Sequence, residues 1–164
     1  MIKIEPLTEI ILKEAISLVN EVFPEQGDEP ANLCFQASLN LRGYEEFLSK
    51  AGIPELRYWV ANQSGKVLGT VGLYCYKVDK KEAFWLGWFC VAPTVRKQGI
   101  GTQLLQFAIK EARKRGKRFL RLYTSTDPNE LNAHKLYEKL GFKLAGSKPF
   151  GDTGFQKLYY ELRL

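Results

Sequence analysis

The chain has 164 residues, 45% of them hydrophobic and 26% charged, with a formal net charge of +6. That profile excludes wholesale disorder and collagen-like repeats, and no apolar run approaches the roughly 18 residues of a membrane span. A single domain of this length buries roughly two-thirds of the surface its unfolded chain exposes, so it requires no disulfide or metal staple.

Ile2–Ile4 alternates and predicts a short first strand. Thr8 is placed to cap a helix running to about Val22, on which Ile11, Ala15, Leu18, Val19 and Val22 recur near helical spacing. A loop holding Pro24, Gly27, Asp28 and Pro30 leads to a second helical region over Leu33–Lys50, broken near Gly43 and stopped by Gly52 and Pro54. Arg57–Asn62, Val67–Val78 and Ala83–Val91 then predict three strands in an antiparallel meander. Past Pro93 the period changes. Ile100, Leu104, Ala108 and Ala112 define one face of an amphipathic helix closed by Gly116. Arg118–Ser125 predicts a strand, and Asp127-Pro128-Asn129-Glu130 reads as a capping box opening a helix that ends at Leu140. Phe142–Ala145 and Phe155–Arg163 predict the last two strands. The order β-α-α-β-β-β-α-β-α-β-β is that of one mixed α/β domain, without repeat or linker.

The charge is local. Arg96–Arg121 holds nine basic residues against Glu111 alone, a net +8, and the rest of the chain sums to −2. Such a field suits a ligand with several phosphates; a nucleic-acid partner has no motif beyond charge to support it and is not expected. Cys34, Cys75 and Cys90 are widely spaced with no C-x-x-C, which indicates reduced thiols. Met1-Ile2-Lys3-Ile4-Glu5 has no signal-peptide pattern, so the expected address is the cytoplasm, with no membrane partner. His134 is the only histidine, so no multi-histidine metal site can form and no metal is expected.

The most informative segment is Val91-Ala92-Pro93-Thr94-Val95-Arg96-Lys97-Gln98-Gly99-Ile100-Gly101-Thr102. An apolar strand ends, a proline forbids its continuation, and two glycines open an amphipathic helix whose first amides have no internal partners. Such a start binds phosphate through backbone donors and the helix dipole. Taken alone, the G-x-G is also what a tight strand-to-helix turn requires.

Arg-x-x-Gly-x-Gly in this setting resembles the pyrophosphate-binding motif of the GNAT superfamily of N-acetyltransferases. The preceding Phe89-Cys90-Val91-Ala92-Pro93 looks like that family's fourth-strand ending. Ala133-His134-Lys135-Leu136-Tyr137-Glu138-Lys139-Leu140-Gly141-Phe142 resembles its second signature, A-x-x-L-Y-x-x-x-G-F. The resemblance implies a GNAT-like, mostly antiparallel central sheet flanked by helices, with splayed fourth and fifth strands. It implies transfer of an acetyl group from acetyl-CoA to a primary amine by direct attack in a ternary complex. A non-catalytic acyl-CoA-binding module of the same fold is the alternative.

Carried over by position, the resemblance assigns the coenzyme pyrophosphate to backbone amides over Arg96, Lys97, Gln98, Gly99, Ile100, Gly101 and Thr102. It pairs the pantetheine arm with the backbone of Phe89, Cys90 and Val91. An amide near Phe89 would polarise the thioester carbonyl, and Tyr137 stands at the general-acid position, where its hydroxyl protonates the departing thiolate. Two departures stand out. Glu130 replaces the asparagine often found seven residues before the tyrosine, leaving Asn129 or Asn132 to contact pantetheine. Lys97 stands where many members have glycine, which is tolerable if its φ stays negative. His134 is expected to face solvent.

No acid lies within the fourth strand beyond its start at Glu82. Glu82, Glu25, Asp28 and Glu29 are the base candidates, with a water chain as the other route. Trp85, Trp88, Tyr74 and Tyr76 are shared between core packing and an acceptor pocket. Cys90 is read as a small buried residue, since no activating base is near it in sequence. An aminoglycoside, a polyamine, an amino acid and a peptide N-terminus all remain open as acceptor, and a homodimer is neither required nor excluded.

Overall fold

The computed structural model describes residues 1–164. Seven strands form one sheet: β1 (Lys3–Pro6), β2 (Glu55–Gln63), β3 (Lys66–Cys75), β4 (Ala83–Val91), β5 (Phe119–Ser125), β6 (Lys143–Pro149) and β7 (Gln156–Arg163). Their order is β1-β2-β3-β4-β5-β7-β6, and every neighbouring pair is antiparallel except β4–β5. Five α-helices complete the fold: α1 (Leu12–Val22), α2 (Ala31–Leu39), α3 (Glu45–Ala51), α4 (Ile100–Lys114) and α5 (Leu131–Lys139). This is the predicted element order with one helix more, the second helical region being divided into α2 and α3. No helix is long and apolar enough to cross a membrane.

Several boundaries differ from expectation. Thr8 caps nothing: the Leu7 amide still bonds to the Tyr58 carbonyl at 3.0 Å, holding the chain to the sheet, and α1 begins later with Ile11 at an uncapped start. The second helical region is split by a 3-10 turn at Leu41–Tyr44, where the Asn40 side chain accepts from the Gly43 amide at 3.1 Å. That local bond competes with helix continuation. β3 stops at Cys75 rather than Val78, because Tyr76 and Asp79 close a turn (Asp79 N to Tyr76 O, 3.2 Å). The capping box splits as well. Asp127 caps a 3-10 turn at Pro128–Glu130, and α5 opens only at Leu131.

One core lies between the sheet and α4–α5, with Phe84, Leu86, Leu104, Leu105, Leu120 and Leu122 buried together. The α4 stripe is the predicted one, Ile100, Leu104, Ala108 and Ala112 with Leu105 and Ile109. A second core lies under α1–α3 and includes Val19, Phe35, Tyr58, Val60, Tyr74 and Cys90. No residue of β5, β6 or β7 belongs to it, so on this face those strands carry no helical cover.

Strands β4 and β5 pair only at Ala83–Phe119, Phe84–Leu120 and Trp85–Arg121. Beyond that point they part. At the vertex, Arg121 binds Asp79 (2.8 Å), Glu82 (2.9 Å) and Glu161 (2.8 Å), and the Trp85 indole N–H donates to Asp79 at 2.9 Å. Arg115 likewise lies near Glu111 and Glu55. Part of the basic excess in Arg96–Arg121 is therefore neutralised within the fold, and Arg96 and Lys97 stand apart from these pairs.

Candidate active site

Three elements converge where β4 leaves β5. The first is a bulge in β4. The β3–β4 register passes from Thr70–Cys90 to Gly72–Gly87, so Val71 faces both Trp88 and Phe89. Trp88 takes a positive φ of 35°, and its carbonyl accepts from the Thr70 hydroxyl at 2.5 Å. A bulge leaves a residue out of the ladder and re-aims its neighbours. Here Trp88 joins the α1–α2 side, against Phe23 at 5.6 Å between rings, while Phe89 packs on the α4–α5 side.

The second is the loop into α4. Arg96 is extended, then Lys97 (φ 62°) and Gly99 (φ 83°) are both left-handed, and α4 starts with no side-chain cap. The first helical bond to the loop is made by the Gln103 amide to the Gly99 carbonyl at 3.0 Å. The earlier amides have no partner in the protein and sit at the positive end of the helix dipole. Arg96, Lys97, Gln98 and Gly99 are exposed, buried Ile100 anchors the turn, and Gly101 and Thr102 are half-buried. The Arg96 Nε holds the Val91 carbonyl at 3.2 Å, tying loop to strand. A Cβ on Gly99 would meet open space, whereas one on Gly101 would touch Leu136, Val91 and Phe89 at 3.5–3.6 Å. Gly101 thus lets α4 approach β4, and Gly99 supplies the turn.

The condition placed on Lys97 is not met: its φ is positive. The chain needs two left-handed residues to bring its amides around, and Lys97 bears roughly 1–2 kcal/mol of steric cost for being one of them. Against glycine's greater unfolded-state entropy, Lys97→Gly is expected to stabilise the protein by about 0.5–1 kcal/mol. A shift of the urea midpoint to higher concentration at constant slope would register it.

The third element is α5. Tyr137 is 5% exposed, its ring among Phe89 (6.1 Å), Phe142 (5.9 Å) and Tyr160 (6.0 Å). Burial, with smaller contributions from Glu130 and Tyr160, pushes its hydroxyl well above the ordinary tyrosine range, so it remains a proton donor. No protein acceptor engages that hydroxyl, yet it is not among the side-chain polar atoms sealed in without a partner, which are Asn62 Oδ1, Asp79 Oδ1 and Arg115 Nε.

Other sequence-predicted residues fall differently. Cys90 is 5% exposed on the α1–α2 face, and burial pushes its thiol up to about 11, so only its backbone is available. Val91 is half-buried at the strand end. Asn129 is exposed. Asn132 is exposed on the first turn of α5, about 140° around the helix from Tyr137. Glu130 accepts from Thr124 at 3.4 Å and also from Ser125 at the end of β5. His134 does not face solvent: it is half-buried, with Nε2 3.3 Å from the Thr124 hydroxyl and its ring 6.0 Å from Tyr160.

Of the acidic candidates, Glu82 is engaged by Arg121, while Glu25 and Asp28 are exposed. Glu29 is half-buried on the loop between α1 and α2. Desolvation raises its carboxyl above the usual range, with Lys157 pulling it down and Asp28 pushing it up. The loop is built around Gln26, which donates to Asn20 (2.9 Å) and the Phe23 carbonyl (3.0 Å) and accepts from the Ala31 amide (2.7 Å). Cys34 donates to the Glu29 carbonyl at 3.4 Å. Tyr74 is core. Tyr76, Trp85 and Trp88 are half-buried against the α1–α3 core, with Tyr76–Trp85 at 5.5 Å and Trp85–Tyr159 at 6.4 Å edge to face. Nothing in the sequence signalled the bulge or the position of Glu29, because both depend on contacts between distant segments.

A parted parallel strand pair, a bulge beside it and an uncapped helix start after a basic glycine turn thus meet at one place in an α/β fold. Residues 20–142 match the Acetyltransferase (GNAT) family, and the chain belongs to that family. It is 31% identical to the uncharacterized N-acetyltransferase YsnE of Bacillus subtilis, over 93% of this chain and 91% of that protein. It is 34% identical to the aminoalkylphosphonate N-acetyltransferase of Salmonella typhimurium over 55% of this chain and 58% of that one. An aminoglycoside 6'-N-acetyltransferase solved with coenzyme A shares the fold, with a TM-score of 0.70 at 19% identity over 98% of this chain and 96% of that chain. The chain spans about half the length of three curated relatives that it matches, 48%, 58% and 45%.

Proposed function

We propose that residues 1–164 act as one N-acetyltransferase domain that moves an acetyl group from acetyl-CoA to a primary amine within a ternary complex. The observation that carries this reading is Tyr137: a protonated hydroxyl, free of protein acceptors, on a ring packed against Phe89 at the β4 bulge. The residues present fit the co-substrate. Amides from Gly99 to Thr102, with Arg96 and Lys97, would hold its pyrophosphate, and the edge of β4 that β5 has left, along Phe89, Cys90 and Val91, would hold its amide-bearing arm. Bound there, acetyl-CoA supplies the acyl thioester.

The chain's own groups do the rest. The backbone at Phe89 offers a donor to the acyl oxygen. Glu29, its carboxyl pKa raised by burial, accepts the proton from the acceptor's ammonium. Tyr137 donates a proton to the thiolate as the N–C bond forms and the C–S bond breaks. Cys34, Cys75 and Cys90 are all buried and free, which suits a reducing cytoplasm.

Acetyl-CoA at 100 times its Kd is expected to stabilise the fold by about 2.7 kcal/mol, because the unfolded chain has no loop to bind it. Differential scanning fluorimetry checks this directly. No melting shift at millimolar acetyl-CoA would count against the reading. Gly99→Val is expected to abolish most of the shift, since it strains the left-handed turn and fills the open side of the loop.

A further inference from the structure

On the sheet face without helical cover, Lys157 is half-buried at the start of β7, opposite Ser125. Its ammonium lies 3.8 Å from the centroid of Tyr123, 5.5 Å from Phe150 and 5.6 Å from Tyr159. None of the six ion pairs in the molecule includes it. A second cation, Lys148, stands 5.7 Å from Tyr159. The carboxylate whose charge Lys157 feels is Glu29, on the Gln26-built loop and beyond ion-pair distance. The ammonium lies against three rings and forms no ion pair within the chain.

A surface that offers an unpaired ammonium and a nearby carboxylate complements a zwitterion. The row of rings Tyr76, Trp85 and Tyr159 that leads to Lys157 suits an apolar or aromatic body. A polyamine or aminoglycoside would set its further ammonium groups against Lys157 and Lys148. Resting on the acetyl-transfer reading above, we propose that the acceptor is an amine that also carries an anionic group, and that Lys157 binds this group while the amine faces Glu29. Carboxylate and phosphonate share the required chemistry.

Four acceptors separate the alternatives in a thiol-release assay on the full chain: L-phenylalanine, its phosphonate analogue 1-amino-2-phenylethylphosphonate, phenethylamine and spermidine. The first three share one body and differ only in the anion. The expected result is a higher kcat/KM for one or both anion-bearing amines than for phenethylamine or spermidine, and their ratio identifies the anion. Lys157→Met should lower kcat/KM for the anion-bearing amines about 10- to 100-fold, the scale of a charged hydrogen bond. The loss should fall mainly on KM and leave phenethylamine within twofold. Lys157→Glu should turn the preference toward spermidine. If acetyl-CoA protects the fold but phenethylamine or spermidine is the better substrate, or Lys157→Met slows all four alike, the anion assignment is overturned while acetyl transfer stands. If acetyl-CoA gives no protection, both fall.

Discussion

Tyr137→Phe is expected to lower kcat roughly 10²-fold, the lower end for general-acid participation, with little change in the KM for acetyl-CoA. The substitution keeps the ring and its contacts with Phe89, Phe142 and Tyr160, so the packing of α5 on the sheet survives and melting should move little. It removes only the hydroxyl, whose work falls at the transition state, and a loss confined there appears in kcat rather than in ground-state binding. The acid's raised pKa sets the direction with pH: the parent holds its proton through the neutral and mildly alkaline range. Turnover within a factor of about two to three of the parent, with chemistry rate-limiting, would put less than about 1 kcal/mol at stake. Tyr137 would then be a packing residue and the thiolate would depart unaided.

Glu29→Gln carries a comparable effect at the other side of the reaction. A general base contributes about 10²–10⁴-fold, and the variant should lose rate at the lower end of that range with its fold intact. In the parent, kcat/KM should rise with pH through the raised pKa of Glu29, because only the carboxylate accepts a proton. In the variant that limb should flatten. Stability moves oppositely. A carboxyl whose native pKa is raised binds its proton more tightly folded than unfolded, so it favours folding below its unfolded pKa and disfavours it above the native one. At neutral pH the charged Glu29 is therefore a net cost, and Glu29→Gln should melt at a higher temperature than the parent, with the advantage vanishing in acid. A variant slower and more stable at pH 7 fits a base; one slower and less stable, with an unchanged pH limb, fits only a loop-building role.

Much of the fold was legible because local rules agreed with one another. The α4 stripe from Ile100 to Ala112 states the period, the buried face and the end at Gly116, and two glycines beside a proline mark the helix start as unusual. What escaped depends on partners far away in sequence. Thr70 fixes the Trp88 carbonyl across 18 positions, and neither residue advertises a bulge. Lys97 is left-handed because the loop must turn twice, a demand that residue type alone does not express. Glu130 looked like a helix-cap partner and instead meets hydroxyls on β5, while His134, read as solvent-facing, turns inward to the same strand. Glu29 was one acid among several until the Gln26-centred loop set it apart.

The three residue pairs joining β4 to β5 also have a mechanical meaning. Four strands and their helices lie on one side of that join and three strands on the other, so the sheet behaves as two plates riveted near one end, with Arg121 and its three carboxylates as the rivet. The far ends of both plates present strand backbone toward each other in the middle of the protein, where a sheet is ordinarily stiffest. Rigidity is thereby concentrated at the vertex, and compliance is placed along the seam where Phe89 and Tyr137 sit. An angular change of a few degrees at the rivet, multiplied along β4 and β5, alters the width of the seam more than the packing of either plate.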